Sequence, residues 1–290
     1  NSGSIAAIAE GDFRRPCWMG SKRPGVAERN TMRISLRTAL AATAAIALTM
    51  GAAQAQEKTL TIATEGAYPP YNNLTPDGKL VGFDVDIANA LCDEMKVKCT
   101  IVAQEWDGMI PALQAGKFDA IIAQMSITPE RKEKIDFSKK YINTPAVSAA
   151  AKDSDIKGVT KEDLAGKTIG VQGSTIHYNY AEKVYTDSEI KSYPSAEEYK
   201  LDMANGRLDA VSDDAVTMGA WLETPDGACC KIVGTIPNMP EIHGDGAGVG
   251  VRKGETALAD QFTAAIAAIR ANGKYKEIND KYFKFDVYGD

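Results

Sequence analysis

Leu60-Thr61-Ile62-Ala63-Thr64 alternates β-branched with small or apolar residues and predicts a strand. Further on, Asp84 stands ahead of Ile87, Leu91 and Met95 at four-residue spacing, which predicts an amphipathic helix with Asp84 as its N-cap. Pro76-Asp77-Gly78 marks a turn between the two. Cys99 to Val102 is the next predicted strand, Met109 to Leu113 a helix ending near Gly116, and Phe118 to Ala123 a third strand. Strand, helix, strand in this rhythm specifies parallel pairing and the α/β class.

The pattern recurs. Lys58-Thr59-Leu60-Thr61-Ile62 is echoed by Lys167-Thr168-Ile169-Gly170-Val171, and Gly116-Lys117-Phe118-Asp119-Ala120 by Gly206-Arg207-Leu208-Asp209-Ala210. The offsets, 109 and 90 residues, are too unequal for a solenoid repeat and suit two lobes of similar architecture. Each echoed strand leads into a polar cluster, Gln124-Met125-Ser126 in one half and Ser212-Asp213-Asp214 in the other. Ligands of open α/β sheets bind outside the carboxyl ends of strands, so both clusters are candidates to face one cleft.

The N-terminal segment differs from the rest. Met32-Arg33-Ile34-Ser35-Leu36-Arg37 places two positive charges before an uncharged run from Thr38 to Met50, and Ala53-Gln54-Ala55 offers small residues where a signal peptidase cuts. The apolar run is far short of the ~20 residues that span a bilayer. Residues 32–55 are therefore expected to be a cleavable secretory leader, with translation starting at Met32 and residues 1–31 an upstream extension. The 290 residues carry 33 basic and 39 acidic side chains. Taking away the seven basic and three acidic residues of 1–55 leaves 26 and 36, a net charge of −10 on 235 residues. Such an acidic chain lacks the basic excess of a nucleic-acid binder. With 44% hydrophobic and 25% charged residues the full 290 residues have ordinary globular composition. Four cysteines remain, an even number suited to an oxidising compartment.

No catalytic motif emerges. Neither His177 nor His243 lies in a Gly-x-Ser-x-Gly elbow, a His-Glu-x-x-His helix or a Cys-His pattern. Gly244 to Gly250 is glycine-rich but lacks dinucleotide spacing, and is expected to be a crossover or strand entry. Asp84-Val85-Asp86 lacks the further ligands of a calcium loop.

Binding features are clearer. Ser126-Ile127-Thr128-Pro129-Glu130-Arg131 sets a hydroxyl after a strand and an arginine in the first turn of a helix that Pro129 starts. A cation there opposes the helix dipole unless an anion sits between them, which makes Arg131 a candidate carboxylate clamp; the competing reading is an exposed arginine paired with Glu130 or Glu133. Of Asp213 and Asp214, one is expected to cap the following helix and the other to accept from an ammonium group. Tyr68, Tyr71 and Trp106 fall in predicted loops where rings flank a ligand, although such rings more often belong to a core. Cys92 and Cys99 bracket a helix end and a strand start, and a disulfide between them is expected. For Cys229-Cys230 a vicinal bridge, two thiols or an intermolecular bond all stand open.

Taken together, Gly66-Ala67-Tyr68-Pro69-Pro70, Gly82-Phe83-Asp84-Val85-Asp86-Ile87-Ala88, the Ser126–Arg131 stretch and Phe285-Asp286-Val287-Tyr288-Gly289 resemble the polar amino-acid family of periplasmic solute-binding proteins, family 3, the receptors of ABC importers. The resemblance spans residues 58–289 and is strongest to the lysine/arginine/ornithine and histidine binders. It implies a two-lobed type II periplasmic-binding-protein fold. Each lobe would hold a mainly parallel sheet flanked by helices, joined by two hinge crossings, with lobe 1 at 56–145 and 245–290 and lobe 2 at 146–244. The implied role is capture of a cationic L-amino acid by a monomeric receptor that meets an inner-membrane ABC permease. Neither cofactor, metal nor nucleic acid is implied.

Carried over by position, Arg131 would hold the α-carboxylate with Ser126 and with groups around Gly173, Ser174 and Thr175. Asp214 would receive the α-ammonium, Tyr68 and Trp106 would flank the side chain, and Glu65 would meet its cationic end. The Cys92–Cys99 pair also matches a disulfide of the basic-amino-acid branch. Ala123-Gln124 departs from the serine pair of that branch, removing a hydroxyl and bringing a larger amide to the cleft. Trp106 resembles opine binders, whereas Ser126 stands where those relatives place glycine. The alternatives are therefore an opine or other amino-acid-derivative receptor, a sensory receptor using the same residues, and an enzyme similar to exported cyclohexadienyl dehydratases.

Overall fold

The computed structural model describes residues 58–289, and the expected extension and leader lie outside the described residues. From β1 (Thr59–Thr64) the chain makes a small antiparallel sheet of β2 (Ala67–Tyr68), β3 (Asn72–Leu74) and β4 (Leu80–Val81). Then come α1 (Phe83–Met95), β5 (Lys98–Ala103), α2 (Met109–Gln114), β6 (Ala120–Ile121), α3 (Pro129–Lys134) and β7 (Ile135–Ile142). A second run holds β8 (Ala146–Ala151), α4 (Lys161–Leu164), β9 (Thr168–Gln172), α5 (Ile176–Val184), β10 (Glu189–Tyr193), α6 (Ala196–Ala204), β11 (Ala210–Asp214), α7 (Ala215–Leu222) and β12 (Cys230–Thr235). The chain returns through α8 (Pro240–His243) to β13 (Ala247–Arg252) and finishes with α9 (Thr256–Ala271) and α10 (Lys274–Tyr282).

Two five-stranded sheets result, ordered β5-β1-β6-β13-β7 and β10-β9-β11-β8-β12. In each, the first of the three mutually parallel strands lies between its two successors: β1 between β5 and β6, β9 between β10 and β11. The fourth place goes to a strand arriving from the other sheet, and it is antiparallel to both neighbours. Each sheet is therefore mainly parallel, as expected, with four strands running one way and the crossing strand the other. A strand that crosses between sheets starts at the end where the parallel strands finish, so it must run the opposite way. The two sequence echoes fall at equivalent places, opening β1 and β9 and leading into β6 and β11. Gly244 to Gly246 form the return crossing, and β13 follows directly.

Helix α1 corrects one expectation. Its N-cap is Gly82, with φ +124° and no side-chain cap, and a Cβ there would collide with the Tyr71 carbonyl. Asp84 lies inside the first turn and is fully buried. The apolar stripe itself is as expected: Ile87 and Leu91 are buried, Met95 packs against the same cluster, and α1 lies against α9, which contributes Phe262 and Ile266. The last turn of α1 is joined to β5 by a Cys92–Cys99 disulfide. Replacing both cysteines by serine should cost about 2–3 kcal/mol by loop entropy, since the closed loop is short; urea denaturation of the two proteins checks it. No described helix is long and apolar enough to cross a membrane.

Candidate functional site

A cavity of about 400 Å³ opens between the two sheets. The parallel strands deliver their carboxyl ends to it, and the crossing strands their amino ends. Glu65 follows β1, Gln172 ends β9, Asp213 and Asp214 end β11, and Ala146 and Ala247 begin β8 and β13. Of the residues expected from the sequence, Glu65, Tyr68, Trp106, Ala123, Gln124, Ser126, Arg131, Thr175 and Asp214 line this one cavity. Gly173 and Ser174 are not part of the lining; Ser174 reaches the site through its carbonyl.

Arg131 sits in the short helix that Pro129 opens and Thr128 caps, its own N–H donating to the Thr128 hydroxyl at 3.2 Å. The side chain is buried, 8% exposed. One guanidinium nitrogen donates to the Ser126 carbonyl at 3.1 Å, the other to the Ser174 carbonyl at 3.2 Å. The group lies 5.2 Å from the Trp106 ring centre, and Trp106 Nε1 donates to the same Ser174 carbonyl at 3.1 Å. Burial pulls the Arg131 pKa down to about 10, which still leaves it charged at neutral pH. Its acceptors are two neutral carbonyls, so the surface-pair reading with Glu130 or Glu133 gives way; Glu130 pairs with Lys134 instead. Thr175 caps α5, accepting from Tyr178 N and donating to the Gln172 carbonyl, so this helix opens on the cavity.

Glu65 is mostly buried, and this pushes its pKa up to about 7 against the opposing hydrogen bond from Gln172 Nε2 at 2.6 Å. Asp214 caps α7 through Val216 N at 2.8 Å and also accepts from the hydroxyls of Tyr71, at 2.7 Å, and Thr144. Burial raises its pKa. Asp213 accepts from Tyr68, Tyr199 and the Asp214 N–H, and His177 Nε2 lies 3.3 Å from it. The bonds Tyr68–Asp213, Tyr71–Asp214, Gln172–Glu65 and Arg131–Ser174 all cross the cleft.

Two expectations change in detail. Gln124 lines the cavity, but its amide is turned away to Asp84 Oδ1 at 3.0 Å instead of entering the cleft. Tyr71 is a core residue, fully buried against Phe83 and Phe283, and presents no ring to the cavity. Sequence reasoning passed over Gln172, His177, Asn238 and His243 as lining residues. Gln172 was within reach, because β9 is the echo of β1 and its last residue must face the same cleft. His243 accepts from Met239 N at Nδ1, which puts its proton on Nε2, and burial lowers its pKa to about 4. Neither histidine is hydrogen-bonded to a serine, threonine or cysteine among the described residues, and no cluster there has the ligands for a metal. The arrangement is one for holding a charged molecule: a buried cation faces three buried or half-buried carboxylates across a space the size of a small metabolite.

The sequence and the fold are both similar to those of known proteins. The chain is 49% identical over 238 residues to the L-arginine-binding protein of Pseudomonas aeruginosa, covering 81% of this chain and 92% of that one. It is 40% identical to the octopine-binding periplasmic protein of Rhizobium meliloti, covering 84% and 96%. The solved structure of an ancestral arginine-binding protein bound to arginine superposes with a TM-score of 0.72 at 35% identity, over 78% of this chain and 99% of the other. The two mixed sheets with a cleft between them are the two-lobed type II periplasmic-binding-protein fold. The family profile of the bacterial extracellular solute-binding proteins, family 3, matches residues 60–285, and the chain belongs to that family.

Proposed function

We propose that this protein is the periplasmic substrate-binding component of an ABC importer, and that it captures a cationic L-amino acid, arginine, lysine, ornithine or histidine, by closure of its lobes. The observation that carries the reading is Arg131, a buried charge held in place by two neutral carbonyls. An α-carboxylate suits it, with Ser126 and the start of α5 beside it. Asp214, which turns out to be the helix cap of the pair as well, receives the α-ammonium, Tyr68 and Trp106 flank the chain, and Glu65 meets the distal cation. Lobe 1 comprises 56–145 and 245–290, lobe 2 comprises 146–244, and the receptor works as a monomer after loss of the leader. Charge-assisted hydrogen bonds contribute roughly 1.5–3 kcal/mol each, and micromolar binding needs about −8 kcal/mol, so a few contacts suffice without chemistry. The closed shape is what the permease recognises.

The test is thermal unfolding of residues 56–290, stripped of carried-over ligand by denaturation and refolding, against amino acids and opines. A ligand at a hundred times its Kd adds about 2.7 kcal/mol, which raises the midpoint by roughly 5–10 °C for a chain of this size. The shift is expected with a basic amino acid. A shift with an opine alone would move the substrate to the octopine side of the family, where Trp106 already points, and turnover of prephenate or arogenate would make the protein an enzyme.

Glu65 adds a pH signature. Its folded pKa of about 7 lies above the ordinary 4.5, so its ionisation costs the empty protein stability as pH rises from 4.5 to 7. A cationic ligand favours the ionised form and expels the proton. Affinity should therefore rise by up to about tenfold per unit between pH 5.5 and 7 and level off above. Calorimetric titration across that range checks it. Glu65→Gln should flatten the slope and weaken only cationic ligands; an equal loss for a neutral amino acid would remove Glu65 from its assigned role.

A further inference from the structure

Cys229 and Cys230 belong to no part of the ligand site, and neither lines the cavity. Cys229 closes a 3-10 turn, Gly227–Cys229, and is exposed; Cys230 is the buried first residue of β12. The backbone at both is held. The Cys229 carbonyl accepts from Lys152 N at 2.9 Å, and Cys230 is in register with Ala151 of β8. Cys230 also packs into the core with Met218 and Trp221 of α7. The main chain is held on either side, and the two sulfurs lie 2.6 Å from each other. That is well inside the ~3.5 Å at which even carbon atoms meet without bonding. Cys92 and Cys99 are already joined, so among the described residues these are the two remaining thiols.

We propose that Cys229 and Cys230 form a redox-labile bridge between adjacent residues, closed by exchange with a disulfide of the oxidising compartment. The exposed Cys229 thiolate attacks one sulfur of that disulfide, forming a mixed disulfide and releasing the first thiol, which carries off the Cys229 proton. The Cys230 sulfur then attacks Cys229 Sγ, and the second thiol leaves with the Cys230 proton. Two protein thiols are oxidised and one external disulfide is reduced to two thiols. Burial pushes the Cys230 thiol up to about 12, so it does not compete as the first nucleophile. Adjacent Cα atoms across a trans peptide are ~3.8 Å apart, short of the ~4.4–6.8 Å of ordinary bridges, and bridges outside that range reduce more readily. Cys92 and Cys99, at 6.2 Å, fall within it.

The test uses the protein as exported, quenched with iodoacetamide in denaturant and digested with trypsin. Leu208 to Lys231 is a single tryptic peptide holding both cysteines. It is expected unalkylated and lighter by two hydrogens, and to take up two alkyl groups after reduction. Two alkyl groups without reduction, or a peptide joined to a second chain, would overturn the bridge. In a dithiothreitol titration the pair should open at about tenfold lower reductant than Cys92–Cys99; opening together or later would overturn the lability. Cys229→Ser is the control, leaving Cys230 with no neighbour to bridge.

Discussion

Arg131→Ala is expected to lower affinity for every α-amino acid at least ~30-fold, because the lost partner is a buried, hydrogen-bonded charge whose truncation costs about 2–5 kcal/mol. The guanidinium is held by groups of the protein itself. Its donors are aimed by the Ser126 and Ser174 carbonyls and its face is backed by Trp106. A planar fork fixed in this way presents its remaining N–H groups to a carboxylate without paying ordering entropy at binding. Arg131→Lys keeps the charge but not the fork, so it should recover little. Calorimetric titration of both variants, with circular dichroism to confirm folding, measures the effect. Binding retained within a few-fold by Arg131→Ala would mean that the carboxylate sits elsewhere in the cleft. Since Arg131 also bonds across the cleft to Ser174, its loss should make lobe closure less favourable as well.

Asp84→Ala is expected to be the most destabilising single change near the site. Asp84 accepts from Tyr141 at 2.8 Å, from Gln124 at 3.0 Å and from Asn72 at 2.9 Å, all in a buried setting. Alanine leaves three donors without an acceptor. At about 1–3 kcal/mol for each orphaned group, with partial relaxation, the loss is about 3–5 kcal/mol. That corresponds to a fall of roughly 8–15 °C in midpoint by calorimetry. Asp84→Asn keeps an acceptor oxygen and should lose less. Burial raises the Asp84 pKa to about 6, above its ordinary 3.8, so its contribution is fullest at low pH and declines as pH rises from about 4 to 6. Glu65 acts in the same direction, and Asp84→Asn should remove the lower-pH part of the slope. The change should also weaken binding, because Asn72 passes the restraint to Gly66 N at 2.7 Å, next to Glu65, and Gln124 lines the cavity. An unchanged midpoint would show that the network is replaceable by water.

Legibility divided along the range of the interactions involved. β1, the stripe on α1, the start of α3 at Pro129 and the Cys92–Cys99 loop depend on residues a few positions apart, and local periodicity and turn chemistry expose them. The echo of β1 in β9 and of β6 in β11 carried the two-lobe topology, because equivalent strands keep equivalent patterns. Arg131 could be singled out as a cavity residue for a related reason: its position three residues after a cap is a local fact, and it conflicts with the helix dipole.

What the chain by itself determined, then, is the set of elements, their α/β order, the two-fold echo and the residues at the strand ends. Tertiary structure alone decided how those residues are used. Asp84 looked like a cap because caps are local, yet it serves Gln124 and Tyr141, which are 40 and 57 residues away. Tyr68 meets Asp213 over 145 residues and Glu65 meets Gln172 over 107, and both pairs exist only because the two sheets face each other. The antiparallel fourth strand of each sheet follows from the crossing between them. A hydrogen bond between distant residues leaves no periodic trace in either segment, since each side chain satisfies its own local pattern whatever stands opposite. The partner is supplied by the fold.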